Sequence, residues 1–244
     1  MTTPSPPDVP TPFPGLVLVG TDTGVGKTTV ARALLRLASR RGLLLLPFKP
    51  VETGCGDQPP RDARDLLEAS RVTSLTLGQV CPYSFAAPVT PSVAARLEGR
   101  TIDPVILLRA ARDVAIHGDA LLIEGAGGLL SPWGPGLHVG SFAAQLGLPV
   151  AIVAANRLGT INHTALVAAE CRRRQLRCIG FVLVDVSPNP TPDHDTNADE
   201  IAGETGLPFL GSLPHLDPTD ADTLADAAAM TLNVTTIFRT LSPG

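Results

Sequence analysis

The sequence is poor in aromatic residues and in charge, and each scarcity excludes a class of function. Aromatic residues make up 4% of the 244 residues, too few for the base-stacking platforms of single-strand nucleic-acid binders. The 19 basic residues stand against 23 acidic ones and leave a net charge of -4, so there is no basic excess to neutralise nucleic-acid phosphates. We therefore expect no nucleic-acid partner.

Cysteine and long apolar runs are also scarce. The four cysteines, Cys55, Cys81, Cys171 and Cys178, lie apart without a C-x-x-C pair, which is typical of a reducing compartment. No uninterrupted apolar stretch approaches the roughly 20 residues needed to cross a bilayer. Residues 1–14 lack the apolar core of a secretory signal. We expect a soluble, cytoplasmic protein with no membrane partner.

Two regions differ in composition. Residues 1–14 contain six prolines and predict a disordered tail, whereas residues 15–244 predict a single nucleotide-binding catalytic domain. Short apolar runs predict strands over 15–20, 43–48, 120–123, 149–155, 178–184 and 207–213. Segments of helical period predict helices over 27–41, 104–117, 162–175, 193–205 and 221–238. This alternation predicts an α/β fold: one doubly wound, mostly parallel sheet flanked by helices, with ligands at the carboxyl ends of the strands.

A glycine-rich segment, Gly20-Thr-Asp-Thr-Gly-Val-Gly-Lys-Thr-Thr29, joins the first predicted strand to the first predicted helix. Glycines let backbone N–H groups close around phosphate oxygens, and a helix N-terminus favours anions. In such a loop Lys27 reaches the terminal phosphates and the Thr28 hydroxyl binds Mg²⁺. The first glycine of the G-x-x-x-x-G-K-[ST] pattern would fall at Thr21, whereas the chain has Gly20. The segment predicts nucleotide binding of the P-loop NTPase type.

Charged residues follow other predicted strands. Glu124 ends the strand before a glycine pair and is a candidate Mg²⁺ ligand, since Mg²⁺ prefers oxygen ligands. Asp62 or Asp65 is a candidate second acid, and their spacing alone does not choose between them. Lys49, at the end of the second strand, points its ammonium group into the crevice where phosphates are expected.

Several segments occur in the order seen in one enzyme family. They are Gly20 to Thr28, Lys49-Pro-Val-Glu-Thr-Gly54, Cys81-Pro-Tyr-Ser-Phe85, Glu124-Gly-Ala-Gly-Gly128, Leu158-Gly-Thr-Ile-Asn-His163 and Gly211-Ser-Leu-Pro214. In these segments, from about residue 16 to residue 214, the chain resembles the dethiobiotin synthetases of the P-loop NTPase superfamily.

The resemblance implies an ATP-dependent cyclo-ligase of biotin biosynthesis. In this family an amine of 7,8-diaminopelargonic acid takes up CO₂, supplied from bicarbonate, to form a carbamate. ATP then phosphorylates the carbamate, and the second amine displaces phosphate to close the cyclic urea of dethiobiotin. Phosphoryl transfer of this kind depends on positioning and electrostatics, so no covalent nucleophile is required.

The resemblance also implies roles for individual residues. The implied catalytic residues are Lys27, Lys49 and Thr23, and the implied Mg²⁺ ligands are Thr28, Asp62 and Glu124. The implied nucleotide-binding residues are Thr23, Gly24, Val25, Gly26, Lys27, Thr28, Thr29, Asp185 and Pro214. The implied substrate-binding residues are Lys49, Thr53, Leu158, Gly159 and Asn162. The last three match a segment that receives the substrate carboxylate from the opposite subunit, which implies a homodimer.

One departure from the family pattern concerns the base. The base-reading Asn-Asp pair of the family appears here as Val184-Asp185, so the amide that would hydrogen-bond adenine is missing. We expect a weaker preference for ATP than that amide would give.

Two other functions share this kind of nucleotide domain. A partitioning or cell-division switch ATPase places a second lysine early in its phosphate loop, where this chain has Asp22. An amidoligase needs a further glutaminase domain, for which 244 residues leave no room. The run Asp193-His194-Asp195 is interpreted as a solvated helix start, because adjacent residues on a helix point in different directions.

Overall fold

The computed structural model describes residues 13–189, 191–217 and 220–241. In chain order the first elements are β1 (Gly15–Gly20), α1 (Lys27–Arg40), β2 (Leu45–Phe48), β3 (Val51–Thr53), α2 (Arg61–Ser70), α3 (Leu77–Val80), β4 (Tyr83–Phe85), α4 (Pro91–Leu97), α5 (Pro104–Ala115) and β5 (Ala120–Gly128). They are followed by β6 (Pro132–Gly134), β7 (Leu137–His138), α6 (Val139–Leu146), β8 (Val150–Ala155), α7 (Thr160–Arg173), β9 (Cys178–Val184), α8 (Asn197–Thr205), β10 (Phe209–Leu213), α9 (Ala221–Thr231) and α10 (Val234–Arg239).

Six strands form the central sheet in the order β10-β9-β8-β1-β5-β2. All five strand pairs in this sheet are parallel. The predicted α/β fold with a doubly wound sheet is therefore confirmed. No helix within the described ranges is long and apolar enough to span a bilayer.

Both faces of the sheet are covered, and its strands are accordingly apolar at nearly every position rather than at alternate ones. Along β1, Val17 and Val19 pack into one buried cluster, and Leu16 and Leu18 pack into a second. This alternation is the two-residue period of a strand, with a core on each face. A sheet buried in this way leaves its strand ends as the accessible places for ligands.

The direction of winding reverses at β1. After β1 the chain crosses to β2, with β5 later inserted between the two, and β8, β9 and β10 then extend the other side. In open parallel sheets, ligands bind at such a reversal, beyond the carboxyl ends of the strands. The glycine-rich segment 20–29 follows β1 and lies at this point.

The N-terminal prediction needs one adjustment. Of the predicted tail, residues 1–12 lie outside the described residues. Phe13 packs against the core, and the Pro14 carbonyl oxygen accepts a hydrogen bond of 2.9 Å from the Leu121 amide. Residues 13 and 14 thus belong to the fold.

The helix predicted over 221–238 is wrong as a single element, because α9 ends at Thr231 and α10 begins at Val234. Between them Leu232 forms a β-bridge with Gly211, and the Asn233 amide donates to the Leu210 carbonyl. At the break between α9 and α10, these backbone contacts with β10 take the place of the hydrogen bonds that a continuous helix would form. The helix predicted over 193–205 is also shorter, and α8 begins at Asn197.

Candidate active site

The phosphate loop is held open by glycines with unusual backbone geometry. Gly24 and Gly26 have φ values of +72° and +93°, a region that other residues rarely adopt. A side chain at Gly20 would meet the Lys27 Nζ atom at 2.5 Å, which explains a glycine at this position. The loop ends at Gly26, the N-cap of α1, so the first amides of α1 have no capping side chain from that residue and face the cavity.

Lys27 lies at the base of this loop. Its side chain is buried, and Nζ donates a hydrogen bond of 2.9 Å to the Asp22 carbonyl oxygen. Burial lowers the pKa of Lys27 to about 8, against the opposing charge of Glu124. An anion close to Nζ would favour the charged form, so the residue is suited to a phosphate.

A second lysine joins three of the predicted site residues. Lys49 Nζ lies 2.5 Å from Glu124 Oε1 and 3.1 Å from Asp62 Oδ2, and the Thr28 hydroxyl donates to the same Glu124 oxygen at 2.8 Å. Burial opposes the charge on Lys49, but Glu124 and Asp62 outweigh it and hold the pKa of Lys49 above its ordinary value. The Lys49 side chain is therefore a fixed cation beside the phosphate loop.

Glu124 retains an unused acceptor. Its Oε2 atom is buried and has no hydrogen-bond partner within the part of the chain that the structure describes. A buried carboxylate oxygen without a partner is costly, and a cation would satisfy it. Among the same residues no cluster of three or more His, Cys, Asp or Glu side chains could hold a metal. The oxygens of Thr28, Asp62 and Glu124 nevertheless fit Mg²⁺, which takes few protein ligands and completes its shell with water and phosphate oxygens.

The two aspartates at the start of α2 point to different partners. Asp62 faces Lys49, whereas Asp65 lies 3.9 Å from Arg61 and 3.7 Å from Arg64. The geometry therefore supports Asp62 as the acid of the site.

These groups open into a cavity of about 910 Å³. Most of the predicted site residues line it, namely Thr23, Gly24, Gly26, Lys27, Thr28, Thr29, Lys49, Thr53, Asp62, Glu124, Asp185 and Pro214. Val25 does not, because its side chain packs in the core, which leaves only its backbone for a phosphate contact. A cavity of this size accommodates a nucleotide with a small substrate.

The end of the cavity away from Lys49 is built by β9 and the segment that follows it. Val184 packs against the phosphate loop, where a Cβ at Gly26 would lie 2.6 Å from its Cγ1. The next residue, Asp185, accepts one hydrogen bond from the Asn156 side chain at 3.2 Å and pairs with His194 at 2.9 Å. The other ring nitrogen of His194 lies 2.8 Å from Asp195.

The sequence interpretation of His194 as part of a solvated helix start is right about its place just before α8 but missed its partners. The residue precedes α8, and its ring lies between two carboxylates, Asp195 and Asp185, whose hydrogen bonds raise its pKa. A neutral imidazole donates from one nitrogen only, so two carboxylate partners favour the doubly protonated ring.

Comparison with known proteins identifies the family. A family profile described as AAA domain matches residues 14–223. The ATP-dependent dethiobiotin synthetase BioD of Anaeromyxobacter dehalogenans is 46% identical over 201 residues, which are 82% of this chain and 89% of that protein. The chain is an AAA-domain protein and belongs to the ATP-dependent dethiobiotin synthetase family. The protein of the same name from Bacillus licheniformis is 37% identical over 203 residues, 83% of this chain and 86% of that protein.

Solved structures support the fold of this synthetase family member. The MinD cell division protein of Aquifex aeolicus superposes with a TM-score of 0.54 at 14% identity, covering 93% of this chain and 95% of that one. At this identity the likeness establishes the P-loop NTPase fold alone. The predictions of a P-loop fold and of a cyclo-ligase family are both confirmed, and the switch ATPase has no support beyond the shared fold.

Three residues that a dethiobiotin synthetase is expected to place near its substrate do not line the cavity. Leu158, Gly159 and Asn162 lie at the start of α7 and are exposed, Leu158 to 80%. Gly159, with φ at +90°, caps α7. Within one chain the structure does not bring these residues to the cavity that Lys49 lines.

Sequence reasoning also missed residues that support the site. Glu52 accepts from two amides at the start of α2, and Asn156 and His194 hold Asp185. Glu52 lies inside the segment from Lys49 to Gly54 that resembles the family, so its place in the sequence could have marked it as a site residue. Asn156 gave no signal, because its partner Asp185 lies 29 residues away in the chain, whereas His194 was singled out only as a member of the run Asp193-His194-Asp195.

Proposed function

We propose that this chain catalyses ATP-dependent ring closure of 7,8-diaminopelargonic acid with CO₂, giving dethiobiotin in biotin biosynthesis. The observation that carries the proposal is the buried Lys49 ammonium held by Glu124 and Asp62 beside the phosphate loop, in a chain of this family. We place the reaction in the cytoplasm, as the cysteine usage predicts.

The chemistry joins two anions, and the site supplies the charge that lets them meet. An amine of the substrate adds to CO₂ and loses a proton, which gives a carbamate. A carbamate oxygen attacks the γ-phosphorus of ATP, and ADP leaves. Lys27 and Lys49 reduce the repulsion between the carbamate and the triphosphate, an effect that is large in a site shielded from water.

The second half of the reaction closes the ring. The other amine attacks the carbamate carbon, the C–O bond to the phosphoryl group breaks, and phosphate leaves with that oxygen. Thr28, Asp62 and Glu124 would hold Mg²⁺, whose chemistry when bound is to withdraw charge from phosphate oxygens. Thr23, near the phosphates, and Thr53, at the end of β3, offer hydroxyl groups to the nucleotide and the carbamate.

The nucleotide site follows the phosphate loop. Backbone amides of residues 24–29 would surround the phosphates, and Asp185 and Pro214 would border the base. With valine at position 184, phosphate contacts supply most of the affinity for the nucleotide.

We further propose a homodimer in which the partner subunit completes the substrate site. Leu158, Gly159 and Asn162 are exposed at the N-terminus of α7, where free amides and an amide side chain suit a carboxylate. The diamine would span the interface, with its carboxylate at this helix start and its amines near Lys49 of the other subunit.

The experiment is a product assay. The purified chain is incubated with 7,8-diaminopelargonic acid, bicarbonate, Mg²⁺ and ATP, and products are identified by mass spectrometry. We expect dethiobiotin and ADP in equal amounts, and phosphate release that depends on the diamine. Steady ATP hydrolysis with no dethiobiotin and no stimulation by the diamine would contradict the proposal and favour a switch ATPase.

A further inference from the structure

Glu52 is a buried carboxylate at the edge of the cavity, and the proposed reaction gives it no chemical step. It lies in the middle of β3, three residues after Lys49, and is 7% exposed. Its Oε1 accepts a hydrogen bond from the Asp62 amide at 2.9 Å, and its Oε2 accepts one from the Ala63 amide at 2.9 Å. Both oxygens thus bind the backbone of one helix start.

The helix start needs such a partner. The first amides of a helix have no acceptor within it, and a polar side chain at the N-cap normally supplies one. Helix α2 has Pro60 at this position, which has no hydrogen-bonding side chain. Glu52 supplies the missing acceptors from another element, and its negative charge also suits the positive end of the helix.

The residue held in this way belongs to the site. Asp62 is the second residue of α2, so the hydrogen bond to its own amide fixes the backbone from which its carboxylate reaches Lys49. Asp62 is itself partly exposed, its side chain at 39%, so packing alone restrains it weakly. The two amides stabilise the ionised Glu52, although burial outweighs them and raises its pKa.

We propose that Glu52 is a positioning residue, which fixes the start of α2 and thereby holds the Asp62 carboxylate at Lys49 and at the Mg²⁺ position. Although Glu52 lines the cavity, both of its carboxylate oxygens are engaged by amides of α2, so that it acts through Asp62. The metal part of this inference rests on the proposed function, whereas the contact with α2 does not.

The first test needs neither metal nor activity. Amide hydrogen exchange is measured by NMR for Asp62 and Ala63 in the metal-free, full-length protein. Glu52→Gln keeps the size of the side chain but removes one acceptor, and we expect exchange at these amides to rise about fivefold or more. Glu68→Gln is the matched control, since Glu68 is exposed on the same helix, and it should change nothing. Unchanged exchange in Glu52→Gln would overturn the proposal.

The second test separates positioning from capping alone. In Glu52→Gln we expect the Mg²⁺ concentration for half-maximal activity to rise at least about threefold, with kcat at saturating Mg²⁺ within about twofold of wild type. Faster exchange without this shift would leave Glu52 a structural cap and overturn its positioning role. A fall in kcat that Mg²⁺ does not restore would instead place Glu52 in the chemistry.

A double variant completes the test and keeps it separate from the proposed function. If Glu52 acts through Asp62, Glu52→Gln should add little to the Mg²⁺ effect of Asp62→Asn, because the two changes remove one interaction. Additive effects would contradict the proposal. If the wild type made no dethiobiotin, the proposed function would fail, and the exchange experiment would still decide the contact between Glu52 and α2.

Discussion

Lys27 and Lys49 are both buried at the phosphate loop, but they are held differently. Lys49 forms ion pairs with Glu124 and Asp62, whereas the Lys27 ammonium donates to a backbone carbonyl. Replacing either lysine by alanine should lower kcat/KM by about 10²–10³-fold, because each removes a cation from a site that binds two anions.

The free energy of unfolding should differ between Lys27→Ala and Lys49→Ala. Lys49→Ala leaves Glu124 buried without its paired cation, which should cost about 3 kcal/mol of unfolding free energy, whereas Lys27→Ala breaks no ion pair among the residues that the structure describes. Activity assays and urea unfolding of both variants make the comparison. Near-normal turnover by Lys49→Ala, or equal loss of stability in both variants, would contradict this account.

Val184 stands where the family has a base-reading asparagine, and we therefore expect weak selectivity for the nucleotide base. Its side chain is 3% exposed and packs against the phosphate loop, and it offers no hydrogen bond to a base. We expect kcat/KM for ATP to exceed that for CTP or GTP by at most about tenfold, since the missing polar contact is worth about 1–3 kcal/mol. Val184→Asn should restore selectivity for ATP. A wild-type preference above about a hundredfold would show that another group reads the base.

At the residue level the sequence predicted the charged site residues that come after strands. It did not predict which side chains hydrogen-bond to them. Lys49 follows β2 directly, Lys27 begins the helix after β1, and Glu124 lies within the neighbouring strand β5, so their meeting follows from the parallel sheet. Glu52 binds α2 and His194 binds Asp185 through contacts between elements, which no local pattern encodes.

Among the elements, we expect the segment between β9 and α8 to make stability depend on pH. It holds His194 between Asp195 and Asp185, and these bonds raise the pKa of His194 above 6.5. The stabilisation is fully present below 6.5 and is lost as the pH rises through the raised pKa, because the folded state binds that proton more tightly than the unfolded chain.

Urea unfolding at about pH 6 and about pH 9 measures this effect. We expect wild type to lose more stability over this range than His194→Gln, while His117→Gln, at an exposed site beyond the end of α5, behaves as wild type. Identical pH dependence in wild type and His194→Gln would refute the role of these bonds.

Element length explains which elements could be predicted. The six central strands are apolar runs and were found, although β5 extends to Gly128, beyond the predicted end at residue 123. Strands β3 and β4 have three residues each, too few to show a period, and they pair with one another. The break between α9 and α10 depends on the bridge from Leu232 to Gly211, a contact with β10 that helical period does not reveal.

At the scale of the whole molecule, the position of the site follows from the topology. The reversal at β1 leaves the phosphate loop between the ends of β5 and β9, so that Glu124 and Asp185 face it from opposite sides. Alternation of strands and helices predicted this arrangement. The homodimer stays a prediction from the family resemblance, because the contacts of a second subunit are not encoded in the fold of one chain, and the exposed start of α7 is compatible with it.

In the proposed reaction ATP activates a carbamate, and the path of the carbamate oxygens tests this step most directly. The enzyme is mixed with diamine, ATP, Mg²⁺ and CO₂ labelled with ¹⁸O, and the reaction is stopped before the label exchanges with water. If a carbamate oxygen attacks ATP, phosphate carries one labelled oxygen and the dethiobiotin carbonyl keeps the other. Unlabelled phosphate, formed with water as the nucleophile, would contradict the account.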